Sequence, residues 1–392
     1  MGAGMPLTGS AVRSRLRPVA GVRFDLVAGT AERGPRGGRL ETPHGGVDTP
    51  SFMPVGTRGT VRGLTPDQLR ATGARLLLAN AYHLGLRPGA ETVRRLGGLH
   101  AFMGWDGPLL TDSGGYQVLS LAAHREVTDA GVRFRAPELG GAEVFLGPRE
   151  AVAIQEALGA DVAMALDDLV PSDSPRPALE AAMARTTRWA QACVDARTRP
   201  DQALFGIVQG GNDAGLRAAH ARALAALPFD GFGIGGLGVG ESAADRRAMC
   251  EAAIAALPAH APRYLMGLGQ PTDLVDAVEA GVDLFDCVVP TRNGRNGEVF
   301  TRAGTLKLRN ARYADDARPL DPDCGCPACR DFTRGAIRHF FLANEMLGPI
   351  LAALHNVAFY QDLMVALRGA VAGGDLTGPR ALAARAEAPA DP

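Results

Sequence analysis

The sequence predicts a (β/α)8 barrel with a strand-rich N-terminal extension and a zinc-binding insertion near the C-terminus. Three observations predict it. Short apolar runs recur at 50–55, 75–80, 108–111, 161–166, 203–208, 231–234, 263–267 and 282–285, the strand complement of such a barrel. Between most of them lie stretches with i, i+3, i+4 apolar spacing, for example 149–158, 179–196, 216–227 and 244–257. Cys324, Cys326 and Cys329 stand as C-x-C-x2-C, and His355 follows after a helical-looking stretch. Together they make four soft ligands of the kind a tetrahedral Zn2+ requires. An open doubly wound sheet is the alternative arrangement of the same elements.

Taken in order, residues 1–21 carry Arg13, Arg15 and Arg17 with no apolar run of signal-peptide length behind them, and are expected to be disordered. Residues 22–48 read as the strand-rich extension. Residues 131–145 alternate through Val132, Phe134 and Val144 like a hairpin inserted after the third barrel strand. The zinc segment, about 298–360, follows the eighth strand, so that 22–370 forms one catalytic domain. From 371 to 392 the chain is rich in Ala, Gly and Pro and is expected to be a disordered tail. No stretch is expected to span a membrane, and a cytoplasmic location is expected.

With 392 residues and 46% hydrophobic content the chain can bury a large core. The net charge of -1 carries no global signature of nucleic-acid binding, although a local basic patch is compatible with it. Of the 41 basic residues only Lys307 is lysine. Cys193, Cys250 and Cys287 stand singly in apolar segments and read as reduced core thiols. In the cysteine clip all four metal positions are filled by side chains, which leaves no site for a catalytic water and assigns the metal a structural role. The chemistry must lie elsewhere.

In a (β/α)8 barrel that place is the rim at the C-terminal strand ends. Here the rim is polar and glycine-rich: Asp112-Ser113-Gly114-Gly115-Tyr116-Gln117 after the third strand, Asp167-Asp168 after the fourth, Gln209-Gly210-Gly211 after the fifth, Gly235-Gly236-Leu237 after the sixth and Asp286 after the eighth. For any single Asp, capping the next helix is the competing reading. Carboxylates from three strands beside glycine-rich turns and an amide point instead to a site.

These residues carry a resemblance. The strings TDSGGYQ (111–117), FGIVQGG (205–211), GIGGLGVGE (233–241), YLMGLGQP (264–271), DLFDCVVPTRNGRNG (283–297) and CGCPAC (324–329) with His355 resemble those of tRNA-guanine transglycosylases, in order from about residue 22 to 365. The resemblance implies a zinc-containing barrel that exchanges guanine 34 in the anticodon of GUN tRNAs (Asp, Asn, His, Tyr) for the 7-deazaguanine preQ1, a step toward queuosine. It further implies a homodimer in which one subunit catalyses while the other helps hold the tRNA.

Residue by residue, Asp286 matches the nucleophile that forms a covalent glycosyl ester, and Asp112 matches the general acid/base that handles the proton of the leaving and entering base. Asp167 can accept from N1–H and the 2-amino group of guanine, while Gln209 and the backbone N–H of Gly236 serve O6. Tyr116 and Met266 match the pair that sandwiches the base. Ser113 and the backbone carbonyl of Leu237 complete the pocket. Arg292 and Arg295, directly after the nucleophile, are placed to bind anticodon phosphates or neighbouring bases, with a solvated Gly/Asn loop as the competing reading. A non-catalytic RNA-binding relative would be expected to lack the three carboxylates, which are present.

One departure bears on the substrate. Bacterial members usually read Asp-Glu-Cys-Thr where this chain has Asp167-Asp168-Leu169-Val170, whereas Val239 follows the bacterial pattern. The incoming base is therefore expected to be preQ1, with queuine as the alternative.

Overall fold

The computed structural model describes residues 21–29, 33–116, 125–238 and 240–390. Its first strands, β1 (Arg23–Gly29), β2 (Arg36–Thr42) and β3 (Gly45–Thr49), pair antiparallel in that order and form the expected extension. A buried ion pair bolts this sheet to the barrel floor. The Arg36 and Asp283 side chains are both fully buried. Arg36 Nε donates to Asp283 Oδ1 at 3.0 Å, and its Nη atoms donate to the other carboxylate oxygen and to the carbonyls of Ala259 (2.7 Å) and Ala261 (2.8 Å). Asp283 also accepts the Arg263 N–H at 2.7 Å. Such satisfaction is what makes a fully buried charge pair tolerable. Nearby, His44 of the β2–β3 turn bonds Asp161 (2.7 Å) and stacks on His100 at 3.5 Å, a second tie to the floor.

The barrel strands are β4 (Ser51–Gly56), β5 (Leu77–Ala79) and β6 (Leu109–Thr111). After the small antiparallel sheet β7 (Arg125–Val127), β8 (Val132–Ala136) and β9 (Ala142–Leu146) come β10 (Val162–Met164), β11 (Ala203–Val208), β12 (Gly231–Ile234), β13 (Arg263–Leu265) and β14 (Leu284–Cys287). All eight predicted runs are barrel strands. Strand β14 pairs back onto β4, with Phe285 opposite Phe52 and Asp286 opposite Met53, so the parallel sheet closes. Met53, Leu78, Leu110, Met164, Phe205, Tyr264 and Leu284 form one core cluster, and Phe52, Ala163, Leu204, Phe232, Leu265 and Phe285 belong to another that includes helix residues. That alternation is the strand pleat expressed in packing. The predicted hairpin at 131–145 is β8 and β9, joined by β7 as a third strand.

Past β14 the chain forms the helix Val289–Asn296, the hairpin β15 (Glu298–Thr301) and β16 (Gly304–Lys307), the cysteine segment, and a 27-residue helix, Leu347–Gly373. By length and composition alone that helix passes for a membrane span, with a mean hydropathy of 1.4, which the sequence reading did not anticipate. Its apolar window is 78% buried against the protein itself, so its hydrophobicity serves the core.

Two boundary expectations meet the structure differently. Residues 1–20, 391–392 and Val239 lie outside the described residues. The expected tail from 371, by contrast, continues the long helix to Gly373 and then forms a helix at Thr377–Glu387 that buries Pro379, Ala383 and Ala386. Glu387 accepts both the N–H and the hydroxyl of Thr272 at 2.7 Å. Alanine-rich composition here reflects close helix packing, which small side chains permit.

Candidate active site

At the C-terminal rim, Ser113, Asp167, Gln209 and Gly236 converge from four successive barrel strands. Ser113 Oγ donates to Asp167 Oδ1 at 3.2 Å, and Gln209 Nε2 donates to Asp167 Oδ2 at 2.7 Å. Glycines make the approach possible. A Cβ on Gly115 would lie 2.5 Å from Asp167 Oδ1, and one on Gly236 would lie 2.4 Å from Gln209 Oε1. Gly236 also has φ +65°, a conformation side chains disfavour. Burial pushes the Asp167 carboxyl up to about 6 against the opposing pull of Gln209 and Ser113, so near neutral pH it is an anion held at a cost.

Asp286, in β14, is turned to the neighbouring strand. Tyr264 Oη donates to Asp286 Oδ1 at 2.6 Å and the Gly267 N–H donates to the same oxygen at 2.8 Å. Burial raises the Asp286 carboxyl, and these two donors pull it back. A helix does begin just after this residue, at Val289, although the sequence offered Asp286 little to cap; the carboxylate nonetheless faces Tyr264 and leaves that helix without a side-chain cap. Asp112 follows β6 and is gripped by the Asn80 side-chain amide and by the Ala81 N–H at 2.8 Å. Burial, then the charge and hydrogen bond of Asp286 and the charge of Asp112, hold the Tyr264 phenol well above its ordinary range.

Tyr116 is 58% exposed at the rim, while Met266 is half-buried, its sulfur 2.9 Å from where a Cβ on Gly233 would stand. Leu237 is buried. Leu169 lines a small cleft with Gly115, Asp167 and Asp168 and faces Gly236. Asp168 pairs with Arg185, and its N–H donates to Thr186 Oγ1 at 2.9 Å. Arg292 and Arg295 lie on a helix rather than in the loop their Gly/Asn neighbours suggested. Gly294 permits that helix to touch the long one, because a Cβ there would stand 2.6 Å from the Ala353 backbone. Burial and the charges of Arg62 and Arg292 lower the Arg295 guanidinium. Among the described residues none of these three arginines has a carboxylate partner, so their positive charges act on one another.

Four residues that hold the site escaped the sequence reading: Asn80, Tyr264, Arg217 and His220. Tyr264 stood inside a quoted motif, two residues before Met266, and Asn80 sat at the end of a predicted strand. Arg217 and His220 occupy the helix Ala214–Ala225, where nothing in the sequence separates them from solvent-facing residues.

Away from the rim, Cys324, Cys326, Cys329 and His355 are all buried, with donor atoms within 4.8 Å of one another. His355 Nε2 lies 2.8 Å from the Phe300 carbonyl, which can only accept, so the proton sits on Nε2. Nδ1 then offers its lone pair toward the sulfurs of Cys329 (3.2 Å) and Cys326 (3.7 Å). Such spacings suit the edges of a tetrahedral site, and the set can hold a metal ion.

A profile of the family described as "Queuine tRNA-ribosyltransferase" matches residues 32–387. Curated proteins of that same name are similar over nearly the whole chain. One from Moorella thermoacetica is 52% identical across 91% of this chain and 95% of its own length, and one from Pelotomaculum thermopropionicum is 51% identical across 90% and 95%. A third, from Stenotrophomonas maltophilia, is 51% identical across 86% of this chain and 91% of its own.

The raised Asp167 carboxyl yields a stability prediction whose sign is fixed. Above about pH 6 both folded and unfolded chains carry the anion, and burial costs the fold on the order of 3 kcal/mol. Between about 6 and 4 the native state takes up the proton first, so stability rises as pH falls. Asp167→Asn is therefore expected to be more stable than wild type at pH 7.5, by up to roughly 3 kcal/mol, with the gap closing near pH 4. Denaturant titrations across that range measure it, and a pH-independent difference would contradict the assignment.

Proposed function

The chain belongs to the queuine tRNA-ribosyltransferase family, and we propose that it exchanges guanine 34 in the anticodon of GUN tRNAs for preQ1 through a covalent aspartyl-RNA intermediate. The observation that carries this reading is the Asp286 carboxylate, aimed by Tyr264 and Gly267 at the same rim as the Ser113–Asp167–Gln209–Gly236 pocket. One Asp286 oxygen attacks C1′ of the nucleotide, the C1′–N9 bond breaks, and its electron pair leaves with the base. Asp112 supplies the proton to departing guanine and takes one from the entering base, a role suited to a carboxyl gripped at fixed orientation by Asn80 and Ala81. Tyr264 and Gly267 hold one Asp286 oxygen, which leaves the other for the attack.

Base selection falls to the pocket. Ionised Asp167 accepts from N1–H and the 2-amino group, and Gln209 and the Gly236 N–H serve O6. Tyr116 and Met266 cover the ring faces, with Ser113 and the Leu237 carbonyl at the edge. A base must leave its stack to reach Asp286. The unpaired guanidiniums of Arg292 and Arg295 supply the phosphate and neighbouring-base contacts that would hold a splayed loop. Exposed Leu342, Met346 and Leu347 form an apolar patch beside the metal-binding segment, consistent with a homodimer. We assign Zn2+ to the clip, from three thiolates and one imidazole. Bound there it would tie the cysteine segment to the long helix and supply no reacting group. A cytoplasmic location accords with buried free thiols.

Exchange of labelled guanine into an anticodon stem-loop is the decisive assay. Asp286→Asn is expected to abolish exchange and any RNA adduct on denaturing gels, while Asp112→Asn still binds RNA; an adduct in Asp286→Asn would refute the nucleophile. In competition for one tRNA, preQ1 is expected to win over queuine. Leu169 beside Gly236 alters the pocket by about a methylene or two, worth roughly 10–200-fold in preference, so a clear queuine advantage would reassign the incoming base. Metal analysis of purified protein is expected to give one zinc per chain, lost in a Cys326→Ala, His355→Ala double variant with a large fall in melting temperature. Zinc retained by that variant would remove the clip assignment.

A further inference from the structure

Arg217 is a fully buried guanidinium with no carboxylate partner among the described residues. It lies on the helix that follows β11 and spends its donors on backbone carbonyls. Nε donates to Gly211 O at 2.7 Å, Nη1 to Gly235 O at 3.0 Å and Nη2 to Gly236 O at 3.1 Å. One turn further along the same helix face, His220 Nδ1 accepts the Gln209 N–H at 2.8 Å. Burial lowers the His220 imidazole to about 4 and the Arg217 guanidinium to about 10, so near neutral pH the first is neutral and the second charged. Gly210 makes room, since a Cβ there would stand 2.7 Å from the Arg217 nitrogen. A single helix face thus grips the backbone of both strand ends that read the base.

Burying a cation is expensive, and three neutral carbonyls recover less than a carboxylate would. A structural clamp alone would not need the charge. What the charge reaches is the peptide joining Gly235 to Gly236. A trans peptide points its N–H opposite to its C=O, so fixing the Gly235 carbonyl on Arg217 fixes the Gly236 N–H facing away from it. A carbonyl bonded to a cation also polarises its peptide and makes that N–H a stronger donor.

We propose that Arg217 is a positioning residue for the leaving base, acting through the Gly235–Gly236 peptide to strengthen the Gly236 N–H bond to the purine O6 as negative charge develops on the ring. This rests on the base-exchange reading above. When the C1′–N9 bond breaks, its electron pair enters the purine and part of that charge appears on O6, before the proton from Asp112 neutralises the ring. A donor polarised in advance stabilises that state more than the neutral ground state, so the effect falls on kcat more than on KM.

Arg217→Met and Arg217→Lys, assayed for exchange of guanine and of 6-thioguanine into an anticodon stem-loop, test the idea. Sulfur at position 6 is a poor acceptor, while N1–H and the 2-amino group are kept. Arg217→Met is expected to lower kcat for guanine roughly 10–100-fold, somewhat less than direct loss of a donor to a developing oxyanion. KM for the RNA should change by less than about 2-fold, and the preference for guanine over 6-thioguanine should shrink. If the Met variant does not fold, the Lys variant decides, because one ammonium cannot reach all three carbonyls in the guanidinium's fork. A folded variant that loses guanine and thioguanine exchange in parallel, with their ratio unchanged, would reduce Arg217 to scaffolding and overturn the proposal, as would unchanged kcat. Failure of the wild-type protein to exchange guanine at all would instead strike the base-exchange reading itself.

Discussion

Closure of the barrel is the constraint on which the remaining structure depends. The β14 to β4 ladder leaves the sheet without an edge, and once it forms, the ends of β6, β10, β11, β12 and β14 must share one rim. Asp112, Asp167, Gln209, Gly236 and Asp286 lie far apart in sequence and become neighbours through that topology alone. The register matters as much as the closure. Side chains alternate along a strand, so a slip of one residue in β14 would turn Asp286 outward and bring Phe285 to the interior.

At both ends of the barrel charge is buried, and each case is settled differently. Arg36 and Asp283 neutralise each other at the floor and serve the fold. Among the described residues the side-chain donors to Asp167 are neutral, Ser113 and Gln209, so its ionised form is held at a cost. Arg217 is compensated by carbonyl dipoles alone. Two of these three arrangements are less stable than apolar packing would be, and both touch the candidate pocket at the rim, where apolar packing would remove its polar groups.

Much of this was legible in the sequence because its signals are local. Each barrel strand is a short apolar run between turns, the clip is a spacing motif, and the rim residues lie at the strand ends or a few positions past them. Tyr264 and Asn80 were harder, because their roles are defined by partners 22 and 32 residues away. Arg217 was invisible, since a helix arginine is ordinarily at the surface and only tertiary packing reveals its full burial. The segment after residue 371 was misread for a related reason: composition registers small residues but cannot tell a frayed tail from a helix that packs closely because its residues are small. The long apolar helix shows the converse, a composition that alone passes for a membrane span although most of its apolar window is buried in the protein.

That helix, Leu347–Gly373, joins parts of the molecule that sequence order keeps separate. His355 belongs to the metal clip, the Asn356 amide bonds the carbonyls of Pro290 and Glu298, Tyr360 Oη donates to Gly269 O, and Gln361 bonds Phe52 O in the first barrel strand. Gly269 lies two residues past Gly267 and Pro290 four past Asp286, so the helix touches both segments that carry them. Because a chain emerges from the ribosome N-terminus first, the wedge that braces these segments is made after every barrel strand. A nascent chain with all eight barrel strands already synthesised still lacks the brace for the strand that carries Asp286, so the geometry around that carboxylate is completed only after the barrel sequence itself.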